Sequence, residues 1–370
     1  MTNQASPAER AAGRIAAPLT KADLAAFDAI LDARSPSEFA EDHLPGAQNC
    51  PVLDDGERAL VGTIYKQQSS FEARRVGAPL VARNIARHIG ERFADMPRDW
   101  RPLVYCWRGG TRSGSLAHVL RQVGWKALQL DGGYKAFRRQ VVRDLDEMPA
   151  GFDYLVVCGA TGTGKSRLLE ALARAGAQVL DLERLAAHRG SLLGELPDAA
   201  QPSQKAFETA IWGALSDFDR ARPVFVESES RKVGNLRVPD ALIGRMRESR
   251  CLRLEASEDV RCALLLLDYA HLVEHSDVLI AKLERLATLH GAGRIGHWKT
   301  LVAARDWRGL VADLLASHYD PAYRRSTLRN YAGAAEAAPL IVPGAATESF
   351  DALARLILRG NDAPNPRRIG

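Results

Sequence analysis

The eight residues Gly159-Ala160-Thr161-Gly162-Thr163-Gly164-Lys165-Ser166 constrain this chain more than any other stretch. They fit G-x4-G-K-[ST] and stand between an apolar run, "DYLVVC", and an amphipathic one, "KSRLLEALARAG". Such a loop needs a strand before it and a helix after it. The glycines let backbone N–H groups approach phosphate oxygens, Lys165 reaches a terminal phosphate, and Ser166 can hold Mg2+. Strand, loop and helix in this order imply an α/β domain with a parallel sheet. Further strands are expected in "AQVLDLE", "PVFVES" and "RCLRLEAS", with helices up to about Asn330. Glu227 ends one of these strands, and Asp181 and Glu183 end another. Each can position Mg2+ or water, or simply cap a strand end. "ESRKVGNLRVP" offers Arg231, Lys232 and Arg237, which suit a diphosphate or RNA but equally a solvated loop.

A second loop lies upstream. "VYCWRGGTRS", from Val104 to Ser113, puts Cys106 after an apolar strand, "PLVYCW", and before a helix, "SGSLAHVLRQVG". Gly109 and Gly110 let the backbone curl into an anion-binding nest with a helix N-terminus behind it. That setting, with Arg108 and Arg112, favours thiolate over thiol and predicts a nucleophilic Cys106 with a lowered pKa. The alternative is an inert cysteine buried at a strand end. Cys50, Cys158, Cys251 and Cys262 have no such loop of their own and read as core or incidental, although Cys158 abuts the phosphate loop.

Composition narrows the setting. At 370 residues the chain is long enough for two domains, and Met148-Pro149-Ala150-Gly151 is the natural boundary. The expected divisions are a flexible arm over 1–18, an α/β domain over 19–147, a phosphate-loop domain over 148–335, and an Ala- and Pro-rich C-terminal extension over 336–370 that reads as frayed. The five cysteines include no CxxC pair, and a reducing cytoplasm is expected. No apolar stretch is long enough to span a bilayer: "CALLLLDYAHLV" is short and interrupted by Asp268 and His271. The formal charge of +5 suits a polyanionic partner but does not require one.

Cys106 to Arg112 fits both the C-x5-R loop of cysteine phosphatases and the rhodanese loop that carries a chalcogen atom. Upstream, "LDARSPSEFAEDHLPGAQNCP" closely resembles the rhodanese signature through Asp32, Arg34, Glu38, His43, Pro45-Gly46-Ala47 and Asn49. "LQLDGGYKAF" resembles the segment that follows the active-site helix in that superfamily. Trp107 stands where strict rhodaneses often carry arginine, which speaks against thiosulfate as donor. A rhodanese domain fused to a phosphate-loop domain is a narrow combination. With "YCWRGGTRS", "GATGTGKS", "DLERLAAHRGSLLG", "QPSQKAFE", "ESESRKVG" and "HYDPAYRRS", the chain resembles the bacterial tRNA 2-selenouridine synthases.

The resemblance implies a rhodanese-like parallel-sheet domain followed by a P-loop NTPase-like α/β domain. It implies exchange of sulfur for selenium from selenophosphate at wobble 2-thiouridine in the tRNAs for Lys, Glu and Gln. It also implies an S-geranyl intermediate made from geranyl diphosphate, and the selenophosphate-producing enzyme as a candidate partner. Cys106 would be nucleophile or selenium carrier, Arg108 and Arg112 would steer selenophosphate, and the phosphate loop would hold the diphosphate, with Mg2+ on Ser166. Trp107 is a candidate for stacking on a base. His188, Arg189 and Ser191 are candidate substrate contacts, and Arg324 and Arg325 candidate phosphate contacts. Two rivals are an ATP-dependent kinase or sulfur-activating enzyme with a rhodanese carrier domain, and a non-enzymatic regulator.

Overall fold

The computed structural model describes residues 13–191, 193–195 and 199–361. The chain divides into two units, one holding the residues up to 145 together with 202–217, the other holding the remainder.

The first unit is built on a parallel sheet of β1 (Arg14–Ile15), β2 (Ala29–Asp32), β3 (Ala47–Asn49), β4 (Pro102–Tyr105) and β5 (Leu128–Leu130). Its order is β1-β5-β4-β2-β3, with all pairings parallel. β4 is buried along its whole length, as a central strand covered on both faces must be. Leu116 and Leu120 of the helix Thr111–Val123 pack with Val104, Trp100 and Trp125 on one face. From β2 the chain turns to β3 on one side, then crosses to β4 on the other. The carboxyl ends of β2 and β4 therefore form a switch point, the place where open α/β sheets bind ligands.

The second unit repeats the plan. β6 (Tyr154–Gly159), β7 (Gln178–Leu180), β8 (Val224–Glu227), β11 (Arg250–Glu255) and β12 (Pro339–Ile341) form a parallel sheet in the order β12-β11-β6-β8-β7. β9 (Lys232–Val233) and β10 (Leu236–Arg237) make a small antiparallel hairpin apart from it. β6 is central, and the phosphate loop leaves its carboxyl end. Leu168 and Leu172 of the helix Lys165–Arg174 pack on Leu155, Val157 and Phe225 of the sheet.

Two expectations change. The arm expected over 1–18 is ordered from Gly13 onward: β1 pairs with β5, and Leu19 is buried with its backbone held by the Gln140 side chain at 2.9 and 2.8 Å. The earlier part of the arm lies outside the described residues. The C-terminal extension is not frayed up to residue 361. β12 adds a strand to the second sheet, and the helix Thr347–Asn361 puts Phe350, Leu353, Ala354 and Ile357 into its core. That spacing gives a helix one apolar face, and burying it outweighs the loose composition. Among the described residues no helix is long and apolar enough to cross a membrane.

Candidate active sites

Cys106 follows β4 directly and is buried, 3% exposed. The Ser113 hydroxyl, in the first turn of the following helix, lies 3.1 Å from Cys106 Sγ. Gln129 of β5 donates from Nε2 to Ser113 Oγ (2.9 Å) and to the carbonyls of Gly109 (2.7 Å) and Gly110 (3.1 Å). Ser113 and Gln129 are both buried. The sequence reading gave neither of them a role. The only signal was a serine seven residues after the cysteine and a polar residue at the centre of an apolar strand.

Two glycine positions set the loop's shape. Gly109 and Gly133 have φ of +63° and +53°. A Cβ on Gly133 would sit 2.1 Å from the Cys106 carbonyl and 2.5 Å from Gly109 N. The "DGG" turn after β5 is thus pressed against the cysteine loop, and the Tyr134 and Lys135 amides donate to the carbonyls of Cys106 and Trp107, each at 2.9 Å.

The rhodanese-signature residues form the frame beside this loop. Arg34 and Asp32 are an ion pair, 1% and 0% exposed, with Arg34 Nη2 2.6 Å from both Asp32 Oδ2 and the Asp42 carbonyl. The Arg34 guanidinium lies 4.1 Å from the Tyr134 ring centroid and 5.6 Å from that of Tyr105. Asn49 donates to the carbonyls of Asp32 and Arg34. Glu38 takes both Arg112 nitrogens at 2.5 and 3.1 Å. Burial raises the Glu38 pKa, but the Arg112 bonds outweigh it and hold the carboxyl below its ordinary value. Arg112 therefore anchors the loop to the helix Pro36–Glu41, whereas Arg108 is exposed. Trp107 is half-buried with its ring against Tyr134, centroids 5.4 Å apart.

The other four cysteines lie outside this loop. Burial pushes the Cys50 thiol up to about 11. A thiol–thiol interaction with Cys251, with burial added, raises Cys158, and the same interaction lowers Cys251 against its own burial. Burial also raises Cys262.

In the second unit, Lys165 Nζ reaches back across the phosphate loop to the Gly159 carbonyl at 2.9 Å. Gly162 and Gly164 have φ of +81° and +83°, and a Cβ on Gly164 would stand 2.5 Å from the Phe350 ring. Thr161 keeps its carbonyl on Arg261 Nε at 2.9 Å, and Arg261 is paired with Asp320 of "HYDPAYRRS" at 2.5 and 3.0 Å. Arg261 escaped the sequence reading because it lies in a helix with no motif of its own.

Four acids gather beside the loop. Ser166 Oγ donates to Glu183 Oε2 at 3.0 Å, and the Glu183 amide donates to Glu227 Oε1 at 2.8 Å. Glu227 Oε2 is buried with no hydrogen-bond partner, and burial drives its pKa well up. Asp181 caps the short helix Leu182–Leu185 through the Arg184 amide. Burial raises both Asp181 and Glu183. Glu229, which the sequence reading missed, is pushed up to about 8 by burial and by the charge of Glu183. Glu183 and Glu229 are hydrogen-bonded, with the proton on Glu229, and the charge of Lys165 pulls both pKa values down. Among the described residues no group of three or more His, Cys, Asp or Glu is disposed to hold a metal ion on its own.

The remaining candidates divide. His188 is buried and takes the Gly190 amide on Nδ1 at 3.0 Å. Arg189 lies over the Tyr269 ring at 5.2 Å, and Ser191 Oγ is 3.0 Å from the Tyr269 hydroxyl. Arg231 and Lys232 are exposed where the β9–β10 hairpin begins, and Arg237 is exposed and 2.7 Å from Asp240. Arg324 and Arg325 are exposed on the helix Asp320–Asn330. Beside Thr161 an apolar chamber of about 550 Å³, counted out to its mouth, opens among the helices that follow β11.

Comparison with known proteins agrees with this two-part architecture. Residues 14–140 match the rhodanese-like domain family, and residues 152–289 match the tRNA 2-selenouridine synthase AAA domain family. The tRNA 2-selenouridine synthase of Marinobacter nauticus is 32% identical over 326 residues, 80% of this chain and 87% of that one. The chain belongs to the tRNA 2-selenouridine synthase family. The synthases of Nitrosomonas europaea and Shewanella halifaxensis are each 36% identical, over 65% of this chain and 63% and 66% of theirs. Within the family match, "DLERLAAHRG" carries Asp181, Glu183 and His188, and "ESESRKVG" carries Glu227 and Glu229. "QPSQKAFE" opens the helix Gln204–Asp217, which packs in the first unit: Thr209 donates to Asp42 at 3.0 Å and Trp212 to Asp144 at 3.0 Å.

Proposed function

We propose that this protein replaces the sulfur of wobble 2-thiouridine in the tRNAs for Lys, Glu and Gln with selenium from selenophosphate, through an S-geranyl intermediate. The observation that carries the reading is a complete phosphate loop with an apolar chamber against it, in a chain that keeps an intact cysteine loop.

A thiocarbonyl sulfur is a poor leaving group. In the first step it attacks C1 of geranyl diphosphate. The C1–O bond breaks, diphosphate leaves with the electron pair, and the N3 proton of the base passes to water. Lys165 and the loop amides stabilise the charge that develops on the diphosphate. The Ser166 hydroxyl, backed by Glu183, is the group that would hold Mg2+ beside it. In the second step the Cys106 thiolate attacks phosphorus of selenophosphate, forming an S–P bond and releasing hydroselenide. Hydroselenide adds at C2 of the base and expels the geranyl thiolate, while water cleaves the S–P bond to phosphate. This route balances without a redox partner, whereas a perselenide on Cys106 would need a two-electron oxidant.

Mass spectrometry of nucleosides from 2-thiouridine tRNA treated with the protein, selenophosphate and geranyl diphosphate tests the reading. Geranylthiouridine should rise first and selenouridine replace it. Selenouridine formed without geranyl diphosphate, or only with ATP hydrolysis, would favour the carrier-domain kinase instead.

A further inference from the structure

We infer that the apolar chamber beside the phosphate loop is the seat of the prenyl chain, and that its walls set the chain length accepted. The inference rests on the geranyl reaction proposed above. The chamber begins at the loop itself: Thr161 belongs to both, and Leu265 lies so close that a Cβ on Gly162 would stand 2.9 Å from it. Its walls come from the helices Glu258–Asp268, Ala270–Glu274 and Trp307–Leu314. Leu266, Leu272, Trp307, Leu310, Val311 and Leu314 supply almost wholly carbon surface. Two polar atoms of the lining residues are already engaged: the Tyr269 hydroxyl pairs with Ser191 and the Thr161 carbonyl with Arg261.

That lining separates the ligand classes. A purine here would bury ring nitrogens and an exocyclic amine without partners. A hydrocarbon chain loses nothing polar and gains from every carbon removed from water. A diphosphate on Lys165 and the loop amides would enter the chamber with its chain leading from Thr161 toward Leu314.

Equilibrium binding to the full-length protein tests this with inorganic diphosphate and the dimethylallyl, geranyl and farnesyl diphosphates. Affinity should rise at least about tenfold with each five-carbon unit up to geranyl, then stop rising. Val311→Trp, at a partly exposed wall position, should weaken geranyl diphosphate by about tenfold or more and leave inorganic diphosphate within twofold. Trp307→Ala should shift the preference toward farnesyl diphosphate. Unaltered inorganic diphosphate binding shows that a variant is folded. If both variants bind inorganic diphosphate and keep the wild-type chain-length profile, the chamber assignment is overturned even where geranylated tRNA still forms. If binding follows chain length and both variants respond, the chamber stands even where no geranylated nucleoside appears, and the geranyl reaction is what fails.

Discussion

Replacing Glu229 by glutamine should make the protein more stable, and more so the higher the pH. Glu229 is buried, hydrogen-bonded to Glu183, and holds its proton to about pH 8 against an ordinary value of 4.5. The folded state therefore binds more protons than the unfolded one between those two pH values. Stability linked to this group is fully present below pH 4.5 and is lost as pH rises through 8. At ~1.4 kcal/mol per pKa unit the displacement is bounded near 5 kcal/mol, and division of the cost with Glu183 leaves about 2–3 kcal/mol for one carboxyl. Glutamine has the shape of the protonated acid and can still donate to Glu183, so it keeps the hydrogen bond and removes the titration. Thermal unfolding of wild type and Glu229→Gln at pH 5.5, 7 and 9 would measure this. Because pH 5.5 already lies one unit above 4.5, the two should differ by about 1.4 kcal/mol there and by the full 2–3 kcal/mol at pH 9, each kcal/mol moving the midpoint by about 2–4 °C. Parallel curves at all three pH values would show that Glu229 ionises normally and refute the buried proton.

The other expectations concern chemistry and framework. Cys106→Ala should lower selenouridine formation by about 100-fold or more while geranylthiouridine still forms, read by nucleoside mass spectrometry. Lys165→Ala should slow geranylation by about 10²–10³-fold, measured as diphosphate release in single turnover. Gly133→Ala puts a methyl group 2.1 Å from the Cys106 carbonyl at a left-handed φ. It should cost at least about 2 kcal/mol in denaturant unfolding and depress selenation more than geranylation. Phe350→Ala should destabilise the protein by about 3–5 kcal/mol in the same assay, because the ring supports the phosphate loop under Gly164.

Both loops were legible because a phosphate loop and a cysteine nest are local objects, defined by consecutive residues and the elements flanking them. β2, β4, β6 and β8 could be read for the same reason, as short apolar runs ending in turn signals. What escaped was non-local. β12 is three residues long, and its partner β11 lies some ninety positions earlier. β1 is two residues long and exists only through its pairing with β5. Phe207, Ile211 and Leu215 mark one face of the helix Gln204–Asp217, but periodicity does not say against which sheet that face packs. Gln129, Arg261 and Glu229 meet their loops only across the fold, so the order of residues could not single them out.

Because the stretch 202–217 packs with the residues up to 145, cutting this polypeptide after Glu147 would not yield a finished first half. The severed piece would lack the hydroxyl of Thr209 on buried Asp42, and Phe137 would lose the edge-on Trp212 ring 5.3 Å away. The second half would carry an apolar helix torn from its berth. Two loops that look separable on paper are thus inherited as one piece of protein, and any attempt to study the cysteine loop alone must graft that helix back.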